Sequence, residues 1–352
     1  MYKYTSPRRR GLPGNGRDVA FEQGEEYNDA KERNEEEKAL LECCTLGTGG
    51  TLPLPDRALS SLYARVNGRA MLVDCGEGTQ VGIRRLGWGF KCLDGLLLTH
   101  YHGDHCTGVS GLLLSLEKAG REETFHIYGP EGLKRVIEGL CVIVPRLSFP
   151  VMLHELPLAG GDLEMIGLEI HAFSVDHGGI PCFGYRMTLP RSPAFDPDKA
   201  RALGVPMQDW KRLQAGESVR VGLKKIHPEQ VSGLVRKGIT LVFSTDTRPC
   251  ENLYRNAAGA DLLILEGMYG GEDKRPQALK NHHMLFSEAA EIARAAQAGA
   301  LLLTHFSTSL EEPAESLPEA RRIFERAWTA EDGQIVTLRY PKEKENAWIS
   351  LC

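Results

Sequence analysis

Short apolar runs separated by polar, glycine-containing stretches recur from Leu40 to Arg339 and predict alternating strands and helices. The runs predict strands over Leu40–Leu46, Ser61–Val66, Ala70–Asp74, Gly95–Thr99, Thr124–Tyr128 and Leu168–Phe173. Further strands are expected over Phe183–Leu189, Thr240–Phe243, Asp261–Leu265, Ala300–Thr304 and Gln334–Arg339. Helical spacing predicts helices over Gly78–Leu86, Gly108–Ala119, Glu131–Leu140, Ser287–Ala298 and Ala314–Trp328. In the fourth of these, Ser287 is placed to cap the start, Glu288 and Glu291 suit the positive end of the dipole, and Gly299 marks the stop. The order of elements is that of a layered α/β domain over residues 39–352.

Two stretches depart from this pattern. Residues 1–38 combine an Arg-, Gly- and Pro-rich segment with a charge-dominated one, and predict a disordered or loosely ordered extension. Residues from about 190 to 238 break the strand rhythm as an insert, within which Asp196-Pro197 reads as a helix start and Gly204 as its stop.

The 352-residue chain carries a net charge of −5, which by its sum disfavours a polyanion partner. Its distribution changes the picture: between Arg191 and Lys237 ten basic residues face five acidic ones. The insert is therefore either a polyanion contact on an acidic body or a solvated surface segment. No apolar run is long enough to span a bilayer, and Arg8-Arg9-Arg10 is not followed by the apolar segment of a secretory signal. Nine scattered cysteines, with Cys43 and Cys44 adjacent, point to reduced thiols and a cytoplasmic setting.

The densest chemistry is Thr99-His100-Tyr101-His102-Gly103-Asp104-His105, directly after Leu96-Leu97-Leu98. A strand alternates faces, so a tight turn, which Gly103 would permit, is needed to bring four donors to one point. Imidazole and carboxylate donors suit zinc, and also manganese or iron. His177, Asp246 and His305 each follow an apolar strand in the same way, and strand ends meet along one edge of a sheet.

This ordered set closely resembles the metallo-β-lactamase superfamily, which implies an αββα sandwich with a dinuclear zinc site at its edge. Carried over by position, the resemblance places His100, His102 and His177 on one Zn2+, Asp104, His105 and His305 on the other, and Asp246 between them. Finer motifs are similar to the ribonuclease Z family: Leu46-Gly47-Thr48-Gly49-Gly50, Asp74-Cys75-Gly76-Glu77-Gly78-Thr79-Gln80, and Phe183-Gly184-Tyr185-Arg186. So are Asp246-Thr247-Arg248-Pro249-Cys250, His283 with Ala289-Ala290 downstream, and Leu303-Thr304-His305-Phe306-Ser307. The insert falls where that family carries a flexible tRNA-binding arm.

The resemblance implies a zinc-dependent endoribonuclease that removes the 3′ trailer of precursor tRNA by attack of metal-activated hydroxide on a phosphodiester, in a homodimer. Asp104 would accept the proton of the nucleophile, and His283, supported by Glu266, would protonate the leaving oxygen. Arg57 and Arg248 are candidate phosphate clamps, with surface salt bridges as the alternative. Lys211, Arg212, Lys224 and Lys225 are candidate contacts to the RNA backbone. Gly49, Gly50, Gly76 and Gly78 either let backbone approach a phosphate or form tight turns. Three stretches differ from the family pattern: Val205–Trp210 lacks the Gly-Pro of the arm tip, Leu265–Met268 keeps only the carboxylate, and Ser309-Leu310 replaces an Arg-Tyr pair. Trp210 could compensate by stacking on a base. The alternative is a phosphodiesterase or esterase of the same fold acting on a small molecule.

Overall fold

A computed structural model describes residues 41–340 and 348–351, so the expectation for residues 1–38, and Leu40 of the first strand, lie outside the described residues. Two mixed sheets stack face to face. The first contains β1 (Leu41–Gly47), β2 (Ser61–Val66), β3 (Arg69–Val73), β4 (Leu93–Leu97), β5 (Phe125–Pro130) and β6 (Val151–Leu156). The second begins with β7 (Gly161–Met165), β8 (Leu168–Ser174) and β9 (Phe183–Leu189). A separate hairpin, β10 (Val219–Val221) and β11 (Lys224–Ile226), precedes β12 (Ile239–Ser244), β13 (Leu262–Glu266), β14 (Ala300–Thr304) and β15 (Ala327–Thr329) of the second sheet. The chain then returns to the first sheet as β16 (Gln334–Arg339) and β17 (Trp348–Leu351).

The spatial orders are β17-β16-β1-β2-β3-β4-β5-β6 and β15-β14-β13-β12-β9-β8-β7. The apolar faces of the two sheets meet in one core that includes Leu62, Val73, Leu97, Tyr185, Phe243, Ile264 and Leu302. Each outer face is covered by helices. Val109–Lys118 and Leu133–Leu140 pack on the first sheet through Leu112, Leu116 and Ile137, and Phe286–Ala295 packs on the second through Ala289, Ile292 and Ala293. This is the expected αββα sandwich. β12, β13 and β14 run parallel and are buried along their whole length, which is why they read as unbroken apolar runs. No helix among the described residues is long and apolar enough to cross a membrane.

The structure corrects several expected elements. The helix expected over Ala314–Trp328 stops at Arg321, and Ala327–Thr329 becomes β15, because Trp328 pairs in register with Leu302 of β14. The fourth expected helix spans Phe286–Ala295, with Ser287 inside it. Ser287 Oγ donates to Glu272 Oε1 at 2.6 Å, while Glu288 reaches back to accept the Leu285 N–H at 3.0 Å. The left-handed turn after this helix falls on Gln297 (φ 52°), not on Gly299. At Gly299 a Cβ would meet the Asp261 carbonyl oxygen, so close packing explains that glycine.

The insert is a folded miniature of two short helices, Pro197–Ala202 and Met207–Gln214, the β10–β11 hairpin and a 3-10 turn. It has its own small core of Ala200, Val205, Leu213, Val219, Ile226 and Val231. Asp196 Oδ1 accepts from the Asp198 and Lys199 amides at 3.0 Å each, the expected cap. Trp210 serves this core: its Nε1–H donates to the Val205 carbonyl at 3.1 Å and its ring lies 5.3 Å from Phe195. Trp210 is thus half-buried and tied to the insert's own core.

Candidate metal centre

β4 ends at Leu97, and the donor-rich motif leaves its C-terminal end toward the edge of the sandwich. The sharp change of direction comes from a single helical turn, Gly103–Cys106, opened by His102 in an extended conformation (φ −65°, ψ 153°). Gly103 does not adopt positive φ, and a Cβ there would touch only Thr107 Cγ2 at 3.6 Å. The helical turn itself, rather than glycine freedom, thus carries Asp104 and His105 round to the side of His100 and His102.

The second sheet supplies the remaining donors. β8, β12, β13 and β14 all point the same way, so His177, Asp246, Glu266 and His305 emerge along one edge. Asp246 (φ 39°) and His305 (φ 57°) hold left-handed backbone at these strand ends. Such conformations are costly for residues with a Cβ and persist where surrounding structure over-determines them.

Two groups of donors that share no residue result, and a third combination, Asp246 with His283 and His305, overlaps them. His100, His102, His177 and Asp246 form one, and Asp104, His105 and His305 the other, each with its donor atoms within 4.8 Å of one another. Asp246 faces both. Its Oδ1 lies 3.8 Å from His100 Nε2 and 3.7 Å from His177 Nε2. Its Oδ2 lies 3.0 Å from His105 Nε2 and 3.1 Å from His305 Nε2. Asp104 Oδ2 completes the second group at 3.4 Å from His305 Nε2, and it also accepts the Thr51 N–H at 2.6 Å.

A residue that composition and spacing did not single out orders this cluster. Asp74, with φ 60° at the end of β3 and no exposed surface, accepts from the Thr99 amide at 2.8 Å and from His105 Nδ1 at 2.8 Å. Thr99 Oγ1 donates to Asp74 and lies 3.0 Å from His100 Nδ1, so His100 Nδ1 donates in turn. One carboxylate therefore fixes the ring orientation of two histidines and leaves both Nε2 atoms facing the cluster. Its strand-end position, the same grammar as the other four, was the signal in the sequence.

The residues fit divalent metal. His100 Nε2 is buried without a hydrogen-bond partner. His105 and His305 point their Nε2 atoms at each other across 3.1 Å, a contact that a shared cation would satisfy. Burial and the neighbouring His105 hold His100 well below the usual histidine range. Burial works against charge on His105 as well, but Asp246 and Asp74 outweigh it and raise His105 well above that range. Burial opposes charge on Asp246, yet His305, His105 and His100 hold it well below the usual carboxylate range. Unlike the histidines of an apolar core, these are arranged around anionic oxygens that a cation would balance.

Beside the cluster, His283 turns its Nδ1 to Glu266 Oε2 at 3.1 Å and stands 3.9 Å from Asp246 Oδ1. Glu266 has no exposed surface and also accepts the Thr247 and Met284 amides at 2.5 and 3.2 Å. Burial disfavours the charged imidazole, but the Glu266 carboxylate outweighs it and lifts His283 to about 9. Asp104, His102, Asp246 and His283 line one open cleft of about 560 Å³, rimmed by Thr51, Leu52, Glu77, Tyr269, Asn281 and Ser307.

The other expected contacts fare differently. Arg57 does not face the cleft: its guanidinium donates to the Leu310 and Glu311 carbonyls at 2.9 and 2.8 Å, tying two loops together. Arg248 is likewise committed, to Glu288 and the His283 carbonyl. Neither is free to clamp a phosphate. Gly50 packs on the His305 ring, where a Cβ would lie 2.6 Å from Cε1, and Gly76 packs on the Asp104 carbonyl and Leu59. These glycines allow protein to approach protein. Lys211, Arg212, Lys224 and Lys225 are exposed on the insert, with Arg212 Nε paired to Glu217 at 3.1 Å.

The fold is shared with solved structures. The metallo-β-lactamase fold protein YhfI of Bacillus subtilis superposes with a TM-score of 0.62 at 21% identity, over 85% of this chain and 100% of that one. The short form of human tRNase Z superposes with 0.60 at 22% identity, over 84% and 98%. Residues 41–139 match the family model described as Anti-Pycsar protein Apyc1, and residues 205–306 that described as Beta-lactamase superfamily domain. Sandwich and donor set together define a metal-dependent hydrolase of the metallo-β-lactamase fold. Ribonuclease Z of Lachnospira eligens is 42% identical over 304 residues, spanning 86% of this chain and 100% of that one. Ribonuclease Z of Clostridium acetobutylicum is 43% identical over 307 residues, spanning 86% and 99%. The chain belongs to the ribonuclease Z family.

Proposed function

We infer that the protein is a metal-dependent endoribonuclease that removes the 3′ trailer of precursor tRNA. The observation that carries this reading is the geometry of Asp246, whose two oxygens face two separate donor groups while a carboxylate-supported His283 shares the same cleft. His100, His102 and His177 would hold one ion, and Asp104, His105 and His305 the other, with Asp246 shared. The nitrogen and oxygen donors suit zinc, and manganese or iron accept the same set. A divalent pair held there supplies a nucleophile at neutral pH and neutralises charge developing on the phosphoryl oxygens.

The chain's own groups do the rest. The Thr51 amide fixes Asp104, which accepts the proton of the attacking water. His283, kept charged by Glu266, donates a proton from Nε2 to the departing 3′-oxygen. Such acid catalysis contributes on the order of 10²–10⁴ in rate. Lys211, Arg212, Lys224 and Lys225 contact the phosphate backbone from the insert, outside the cleft. The family resemblance favours a homodimer. All eight cysteines among the described residues are free, which supports a reducing compartment such as the cytoplasm.

The test is incubation of the metal-loaded protein with a 3′-extended precursor tRNA. Cleavage after the discriminator nucleotide is expected. Turnover of a small phosphodiester without any preference for structured RNA would instead establish the small-molecule reading.

A further inference from the structure

His283 is held by more than Glu266. Three successive positions of its loop are each held by a side chain, two from distant segments and one from the helix that follows. The His283 carbonyl accepts from Arg248 Nη1 at 2.5 Å, the Met284 amide donates to Glu266 at 3.2 Å, and the Leu285 amide donates to Glu288 Oε2 at 3.0 Å. Arg248 and Glu288 are themselves joined as a two-point fork, Nη1 to Oε2 at 2.8 Å and Nη2 to Oε1 at 2.5 Å. Their side chains are only 13% and 7% exposed, so solvent does little to screen the pair. Arg275 Nη1 adds a third contact to Glu288 Oε1 at 2.8 Å.

The same arginine reaches the metal side of the cleft through its backbone. Arg248 lies two residues after Asp246, and its amide donates to the Asp176 carbonyl at 2.8 Å, one residue before His177. Arg248 thus joins the segments carrying His177, Asp246 and His283. Glu266 sets the rotation of the His283 ring and holds the next amide, while Arg248 and Glu288 hold the backbone on either side of that amide.

We propose that the Arg248–Glu288 pair is a latch that holds the His283 backbone in place, making both residues positioning residues for proton delivery to the leaving oxygen. The proposal rests on His283 acting in RNA cleavage. A misplacement of about 1 Å can cost on the order of 10² in rate, which is within the range a general acid supplies.

The test is a double-mutant cycle on 3′-extended precursor tRNA, with Glu288→Ala, His283→Ala and the double variant, each checked for metal content and melting. Glu288→Ala should lower kcat by about 10² with KM changed less than about threefold, and should add nothing in the His283→Ala background. A substrate with sulfur in place of the leaving 3′-oxygen needs no proton on departure. On it Glu288→Ala should return to within about threefold of the unaltered protein. Glu288→Gln keeps an acceptor for the Leu285 amide but not the charged fork, and should show a smaller loss of the same pattern. It carries the test if Glu288→Ala does not fold. Losses that multiply across the cycle, or that persist in full on the sulfur substrate, would overturn the latch. Failure of the unaltered protein to cut precursor tRNA would instead reject the activity on which the latch depends.

Discussion

Asp74 Oδ2 lies 2.8 Å from His105 Nδ1, and neither side chain has any exposed surface. The pair fixes which nitrogen of His105 faces the metal cluster, and through Thr99 it does the same for His100. Asp74→Ala should therefore weaken metal binding by roughly 10–100-fold, as is typical when a carboxylate behind a ligand histidine is lost. Competition with a fluorescent chelator measures this. Unchanged affinity would show that the histidines are oriented by packing alone.

Gly50 lies against the His305 ring, and a Cβ there would come within 2.6 Å of Cε1. Its backbone is not left-handed, so Gly50→Ala adds a methyl group without adding φ strain. The expected result is displacement of His305 and loss of the ion shared with Asp104 and His105. Metal analysis should show the bound content falling from two ions per chain toward one. Retention of both would mean that the neighbouring loop yields instead.

In metal-stripped protein, His283 should titrate near 9 by nuclear magnetic resonance, and Glu266→Gln should bring it down toward its ordinary value of 6.5. The folded value is raised, so the ion pair stabilises the fold in full below about 6.5 and is lost as pH rises through about 9. The melting difference between the unaltered and Glu266→Gln proteins should shrink across that window. It should not vanish, because Glu266 also accepts two backbone amides. A His283 that titrates at its ordinary value would contradict the pairing.

The insert leaves the body after Leu189, returns to it at Ile239 and has its own apolar centre, with Lys237 Nζ also reaching Asp261 Oδ1 at 2.7 Å. Replacing residues 191–237 by a short linker should leave the melting temperature of the body within a few degrees while raising KM for precursor tRNA at least about tenfold. A milder variant, Lys224→Ala with Lys225→Ala, should reduce the slope of log affinity against log salt by about one per lysine that contacts phosphate. Equal affinities and slopes would remove the insert from RNA binding.

The donors were legible because each follows a buried parallel or antiparallel strand, and apolar runs such as Leu301-Leu302-Leu303 announce such strands without context. The Asp196-Pro197 start of a short helix was legible for a similar reason, since cap and proline act locally. Edge elements were not. β6 and β7 mix charged residues into half-exposed edge strands, and β15 is three residues long with β14 as its one strand neighbour in the sheet. The guanidinium partners were hidden by distance in sequence: Arg57 meets Leu310 across 253 positions, and Arg248 meets Glu288 across 40. Arginine composition alone cannot tell a phosphate clamp from a loop tie. That decision depends on which carbonyls and carboxylates the folded chain brings within reach.

The centre draws donors from the end of β4 in one sheet and from the ends of β8, β12 and β14 in the other. Its last donor, His305, lies 205 positions after His100. A growing chain therefore assembles the two-lobed centre only when nearly all of the sandwich has been synthesised and its halves have closed on each other. Nuclease activity is thereby confined to finished molecules. An interrupted or half-docked product would be harmless to the RNA around it.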